Sequence, residues 1–417
     1  MPDIDKLKKV VIIKNKGKIL TLLFHGNALM RVIAEEETGS LIGNIYIAKV
    51  KNIKKNIDAA FVEIQPDINC FLPLKDAGIE ARNLVVAGQV AHALIVAGDE
   101  IVVQVKKDAV KTKPPAVTTQ LSLSGKYCAV SIGGRKGIYY SAKLSEKAKS
   151  RIKDGMKQGL KLPEGASLTE EQLLPAGFGA VIRTNAKELT DFQPLKDELE
   201  ELSAQLEEIC KNSSHRTCYS QLHKPLPGYL MFLRDLYAGQ YEEIVTDDED
   251  IYRTITQYKE DHSGFTMGGV RLYQDVALSL SKLYSVEARL KEALDKKVWL
   301  KSGGYLVIEP TEALTVIDVN TGKVTSKKVG EDVYFQMNME AAQEIARQLS
   351  LRNISGIIIV DFINMEKEEN KNRLMSYFGD LLKKDQIKTN LRDITVLGLV
   401  EITRMNTGKP LWEQMNL

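Results

Sequence analysis

The chain has 417 residues, enough for two to four domains with sizeable cores. Its 57 Lys+Arg balance 55 Asp+Glu, so global charge selects no class of partner, and any nucleic-acid face must come from local clustering. The four cysteines (Cys70, Cys128, Cys210 and Cys218) form no CxxC pair and indicate neither a zinc site nor a disulfide framework, and no run approaches signal-peptide or membrane-spanning length. A soluble protein of the reducing cytoplasm is the expectation.

Taken in order, residues 1–38 read as short strands, VVIIK and then KILTLLFHGNALMRVIAEE, with turns at Asn15-Lys16-Gly17 and His25-Gly26-Asn27. They are too few to stand alone and should pair with something later. From Ser40 to Leu123 short strands recur at regular spacing (GNIYIAKVKNI, AAFVEI, CFLPL, DEIVVQVKK), the pattern of a small barrel. Phe61 and Phe71 lie in it among Lys49, Lys51, Lys54, Lys55, Lys106, Lys107 and Lys113. Aromatics in a basic groove hold single strands; equally, a strand Phe is often core and strand lysines are often a solvated face.

Residues 124–228 hold a strand pair, a basic helix, and GFGAVIRTNA, a strand ending in Arg183-Thr184, whose guanidinium and hydroxyl both donate to anionic oxygen. From Lys187 to Cys210 the spacing of Leu195, Leu199, Leu202, Leu206 and Ile209 predicts an amphipathic helix. GYLMFLRDLY predicts a short helix, EEIVTDDEDIYRTITQY a strand and a helix whose acidic run, Asp247 to Asp250, suits a helix N-terminus better than a metal. A long helix is expected from Val276 to Val298, helices over 331–350 and 366–384, and strands over 357–361 and 394–404. Strand and helix thus alternate through the C-terminal third, the α/β pattern.

Two stretches there carry chemistry. Thr311 to Lys323, TEALTVIDVNTGK, places Asp318 and Asn320 two apart, hence on one face of a strand. Gly356 to Met365, GIIIVDFINM, delivers Asp361 from a second apolar run, with Asn364 and Glu366 close behind. A bare carboxylate at the end of such a strand is costly unless a cation meets it, and two strands can bring both carboxylates to one metal. The bland alternative is that each Asp caps the next helix or turn.

The runs SGGYLVIEPTEALTVIDVNTGK, EAAQEIARQLSLRNISGIIIVDFINM and LGLVEITR together resemble the catalytic half of the ribonuclease E/G family. GNIYIAKVKNIKKNIDAAFVEI with FLPLK resembles its OB-fold RNA-binding module, and LLPAGFGAVIRTNA its phosphate-sensing segment. The resemblance implies an α+β and α/β multidomain fold, with an OB-fold barrel inserted in a ribonuclease H-like subdomain and followed by a DNase I-like α/β catalytic domain. The implied domains are residues 1–39 and 230–293 (ribonuclease H-like), 40–123 (OB-fold), 124–229 (5′-phosphate sensor), 294–405 (catalytic) and 406–417 (tail).

By the same resemblance Asp318 and Asp361 bind Mg²⁺, or Mn²⁺ in its place, and Asn320 positions the scissile phosphate. Phe61, Phe71 and Lys113 line the RNA path. Gly125, Arg183 and Thr184 bind a 5′-monophosphate. The implied activity is metal-dependent endonucleolytic cleavage of single-stranded RNA, in ribosomal or messenger RNA processing, leaving 3′-hydroxyl and 5′-phosphate ends. No histidine in these motifs suits a metal-free ribonuclease.

Departures from the family pattern accompany these. The sequence reaches Leu417 without the family's zinc-binding CPxC link, either because it is a piece of a longer chain or because this branch lacks the link; no zinc site is expected within these residues, a zinc-linked dimer is not supported, and a homo-oligomer would need another basis. Asn364 stands where the family has Asp, and Pro114-Pro115 replace glycines beside Lys113. These motivate the alternative of a catalytically weakened RNA-binding or scaffold protein on the same fold.

Overall fold

The computed structural model of the chain describes residues 8–77, 95–109, 113–157, 173–236, 241–262, 268–322, 330–385 and 387–415. Lys323, the last residue of the first carboxylate stretch, lies outside them. Two compact units emerge, one contiguous over Thr38–Tyr237 and one assembled from Met1–Glu37 and Ala238–Leu417.

The split unit begins with an antiparallel meander, β1 (Lys8–Asn15), β2 (Lys18–His25) and β3 (Ala28–Glu36). Lys16 and Gly17, at φ 53° and 77°, supply the left-handed pair that closes a two-residue hairpin. Val10 to Ile13 are all at most 1% exposed, as a strand buried on both faces requires.

In the contiguous unit, β4 (Ile45–Lys54), β5 (Ala59–Gln65), β6 (Ile68–Pro73), β7 (Glu100–Lys107) and β8 (Ala116–Thr118) pair in the order 4-5-6-8-7, and β7 pairs back onto β4. That closes a five-stranded, OB-like barrel, as the strand spacing predicts. Its core holds Tyr46, Val50, Val62, Ile64, Leu72 and Val103.

Next come β9 (Leu121–Ser124), β10 (Cys128–Ile132), β11 (Gly137–Tyr140), α1 (Glu146–Lys157), β12 (Phe178–Ile182), α2 (Gln193–Ser213), β13 (Gln221–His223) and α3 (Gly228–Asp235). A second sheet runs β11-β12-β10-β9, while β13 joins β4. The heptad leucines of α2 are buried as expected, but the helix starts at Gln193 rather than Lys187. Pro194 is the reason: it is tolerated in a first turn and breaks a helix interior.

The chain then returns to the first unit. β14 (Glu243–Thr246) lies parallel to β1, α4 (Glu249–Asp261) follows, and β15 (Gly269–Leu272) completes the sheet β15-β14-β1-β2-β3. The early strands thus find their later partner. Asp248 caps α4, accepting from the Asp250 and Ile251 amides at 3.0 and 2.9 Å, so the acidic run serves the helix terminus. The single helix expected over Val276–Val298 is not formed. α5 (Leu280–Leu283) and α6 (Val286–Leu294) are separated by Ser285 at φ 49°, a left-handed residue that no helix continues through, and the last residues join a strand.

That strand is β16 (Lys297–Trp299), followed by β17 (Tyr305–Pro310), β18 (Leu314–Asn320), α7 (Glu331–Leu351), β19 (Gly356–Asp361), α8 (Glu368–Lys383), β20 (Thr389–Ile394), β21 (Val400–Arg404) and α9 (Leu411–Gln414). The sheet order is β16-β17-β18-β19-β21-β20. The strand expected over 394–404 is a hairpin instead, because Gly398 at φ 85° and bonds from Gly398 N to Thr395 O (2.9 Å) and Thr395 N to Leu399 O (2.8 Å) turn the chain.

α7 is the crossover that makes β18 and β19 parallel. It ends in a Schellman motif: Asn353 takes φ 49°, Ile354 N reaches Leu349 O at 3.0 Å and Asn353 N reaches Ser350 O at 3.3 Å. α7 and α8 bury Phe335, Ile345, Leu349 and Phe378 with Ile317, Ile358 and Val360 of the sheet. Strand alternation therefore sends Asp318 and Asp361 to the opposite, open face. Among the described residues, no helix is long and apolar enough to cross a membrane.

Candidate functional site

β18 and β19 are in register with Asp318 directly opposite Asp361. Adjacent strands lie about 4.8 Å apart, so the two carboxylates share one face at the C-terminal ends of parallel strands, where open α/β sheets place ligands. Asn320 Nδ2 donates to Asp318 Oδ2 at 2.7 Å, which fixes the carboxamide beside the carboxylate. Gly322, at φ 63°, lies where a Cβ would sit 2.2 Å from Gly303 O, so glycine alone lets the β16–β17 turn close over the end of β18. Glu340 of α7 braces that turn by accepting from the Lys301 and Ser302 amides at 2.6 and 3.2 Å.

Neither Asp318 nor Asp361 forms an ion pair with a lysine or arginine among the described residues. Two like charges on neighbouring strands repel, and the oxygen-only donor set of two carboxylates and one carboxamide fits a hard divalent cation. No group of three His, Cys, Asp or Glu side chains gathers among the described residues. So small a set suits an ion that keeps several of its own waters. Asn364 and Glu366 lie beyond β19 and are exposed.

In the barrel, Phe61 and Phe71 face each other across β5 and β6, ring centroids 6.0 Å apart and edge-on. Both are only half-buried and stand outside the barrel core of Tyr46, Val62 and Leu72. Part of the basic cluster is already paired: Lys51 with Glu63 at 3.1 Å and Lys106 with Asp76 at 3.2 Å. Lys49, Lys54, Lys55 and Lys107 are exposed. Lys113 is exposed on the approach to β8.

Gly125, Arg183 and Thr184 do come together. Arg183, just after β12, donates from Nη1 to Gly125 O, while Thr184 Oγ1 lies 3.1 Å from Ser141 Oγ. The guanidinium also forms a bidentate pair with Asp235 at the end of α3, at 2.9 and 2.7 Å. Burial alone would depress the Arg183 pKa, but Asp235 outweighs it and holds the group above its ordinary value. Burial alone would likewise raise Asp235, yet Arg183 and Arg234 hold it below the usual carboxylate range. Arg183 retains its Nε–H and one Nη2–H for another acceptor.

Glu198 of α2 is a second residue the sequence did not single out. Its carboxylate accepts from three successive amides, Lys126 at 2.6 Å, Tyr127 at 2.7 Å and Cys128 at 2.8 Å. A Cβ at Gly125 would stand 2.2 Å from that carboxylate, so Gly125 is also required for packing. The only sequence trace of these partners is a charged pair, Arg234-Asp235, ending an otherwise apolar helix.

The model of the ribonuclease E/G family matches residues 122–407. The chain is 33% identical over 412 residues to Ribonuclease E of Nostoc sp. (strain PCC 7120), covering 98% of this chain and 57% of that protein. Ribonuclease E of Synechocystis sp. (strain PCC 6803) is 32% identical, with 98% and 58% covered. Ribonuclease G of Escherichia coli (strain K12) is 32% identical over 400 residues, with 93% and 77% covered. The chain therefore spans little more than half the length of the two ribonuclease E relatives.

Proposed function

Since the chain belongs to the ribonuclease E/G family, we propose that it is a divalent-metal-dependent endoribonuclease acting on single-stranded RNA in the cytoplasm. The observation that carries this reading is the in-register pair Asp318 and Asp361, with no cationic partner among the described residues and with Asn320 bonded to Asp318. The two carboxylates would hold Mg²⁺ or Mn²⁺, and Asn320 would orient a non-bridging phosphate oxygen with its free amide hydrogen. When bound, the cation supplies charge stabilisation to the phosphodiester and a nucleophilic water, giving 3′-hydroxyl and 5′-phosphate products. Phe61 and Phe71, half-buried outside the core, suit stacking of unpaired bases; Lys113 would contribute charge alone.

In this reading residues 40–123 hold RNA, 124–229 sense its 5′ end and 294–405 cut it, with 1–39 and 230–293 as a structural ribonuclease H-like subdomain and 294–405 DNase I-like. Arg183, steered by Gly125 O and Asp235, offers two N–H groups to a 5′-monophosphate beside the Thr184 hydroxyl.

The test compares 5′-monophosphate, 5′-triphosphate and 5′-hydroxyl forms of one unpaired, AU-rich oligonucleotide with Mg²⁺ and with EDTA. Wild-type protein should cut in Mg²⁺ only and prefer the monophosphate. Asp318→Asn or Asp361→Asn should lose roughly 10³-fold in kcat/KM, since a Lewis-acid cation contributes several kcal/mol. Arg183→Gln should leave 5′-hydroxyl cleavage unchanged and erase the monophosphate preference. RNA bound without cleavage in Mg²⁺ or Mn²⁺ would instead favour the scaffold reading that Asn364 motivates.

A further inference from the structure

The open face that carries Asp318 continues past it. Lys297, Val307, Asp318 and Asp361 form one cross-strand row over β16, β17, β18 and β19; Trp299, Tyr305 and Asn320 form the next. Strand spacing puts Trp299 about 10 Å from Asn320, two strands away. Trp299 and Tyr305 meet edge-to-face with centroids 5.3 Å apart, and Lys297 Nζ lies 4.1 and 3.5 Å from the two ring centres. Trp299 is 61% exposed, an unusual place for so large an apolar ring.

Cross-strand aromatic pairs do stabilise hairpins. That role needs neither the exposure nor the lysine. An aromatic surface carrying a positive charge, one strand from the residue that meets the phosphate, matches an unpaired nucleotide, with a π-face for the rings and an anionic backbone for the ammonium. A neutral apolar partner would gain nothing from Lys297.

We infer that Trp299 and Tyr305 form a stacking platform for the base next to the scissile phosphate, and that Lys297 meets the adjoining backbone. The inference rests on the endoribonuclease reading for which phosphate is cut, and adds to it a set of substrate-positioning residues on the catalytic sheet itself. They act on binding and register and not on the bond-breaking step.

The experiment uses the full chain and a 5′-monophosphorylated single-stranded RNA with 2-aminopurine placed in turn at each position flanking the cut. In EDTA, one position should be quenched by wild type, not by Trp299→Ala or Tyr305→Ala, and again by Trp299→Phe. In Mg²⁺, Trp299→Ala should raise KM roughly 10-fold, which corresponds to about 1.4 kcal/mol, with kcat within about twofold. A purely structural hairpin role would lower Tm and leave both the quench profile and KM alone, and that result overturns the platform. Quenching that depends on Trp299 in a protein that never cuts would sustain the platform and refute the endoribonuclease reading. Cleavage by wild type with quenching indifferent to Trp299 would do the reverse.

Discussion

Asn364, exposed and three residues beyond Asp361, would leave one fewer negative charge beside the proposed cation than an aspartate at that position. A unit charge about 4 Å from another interacts by about 1 kcal/mol in water. Asn364→Asp should therefore lower the Mg²⁺ concentration for half-maximal cleavage about fivefold, as read from a metal titration; an unmoved midpoint would take Asn364 out of the cation's reach. Asp235 gives a pH signature. Its pKa is held below the usual carboxylate value, because its pairing with Arg183 and Arg234 outweighs the upward push of burial. Its contribution to stability is thus present above the unfolded value near 3.9 and lost as pH falls through the lower folded one. Asp235→Asn should flatten the acid limb of the stability–pH curve in that window, measured by urea unfolding. Asp318 and Arg183 could be read from the sequence because each leaves an apolar strand with its polar partner adjacent. Asp235 and Glu198 could not, because they arrive from helices whose docking no local pattern encodes.

At the scale of elements, Arg404 pins the last strand. Its side chain is 1% exposed, and it donates from Nε to Asp385 Oδ2 and from Nη1 to Ile354 O, both at 2.8 Å. One guanidinium thereby ties β21 to the end of α8 and to the residue that leads into β19. Asp385→Ala strands a buried charge and should cost about 3–5 kcal/mol of stability. Adding Arg404→Met should recover much of that loss, as seen in denaturant midpoints, if the penalty is the unpaired charge and not the lost packing. The barrel, the meander and the β18–α7–β19 crossover were legible because their periodicities are unbroken. The misread elements share one cause. Ser285, Gly398 and Pro194 each act through a backbone conformation or a missing amide at one residue, inside segments whose apolar spacing is otherwise continuous.

At the scale of the molecule, Thr38–Tyr237 is contiguous and carries its own cores in the barrel and under α2. Expressed alone it should melt cooperatively and bind single-stranded RNA without cutting it, since Asp318 and Asp361 lie in the other unit. The split unit should not survive loss of residues 1–37, because β14 would keep β15 as its sole strand neighbour and the core would lose Val11, Leu20 and Leu22. Circular dichroism of the two fragments distinguishes these outcomes. The parallel pairing of β1 with β14 also sets a timetable. More than 200 residues separate Asn15 from Glu243. At about 5–20 residues per second, a ribosome leaves the β1 edge uncovered for roughly 10–45 s while the whole intervening unit emerges and folds. During that wait the nascent meander is an open template for foreign strands, so slow translation between the two would favour aggregation of the newborn chain, and chaperone demand should track the length of that pause.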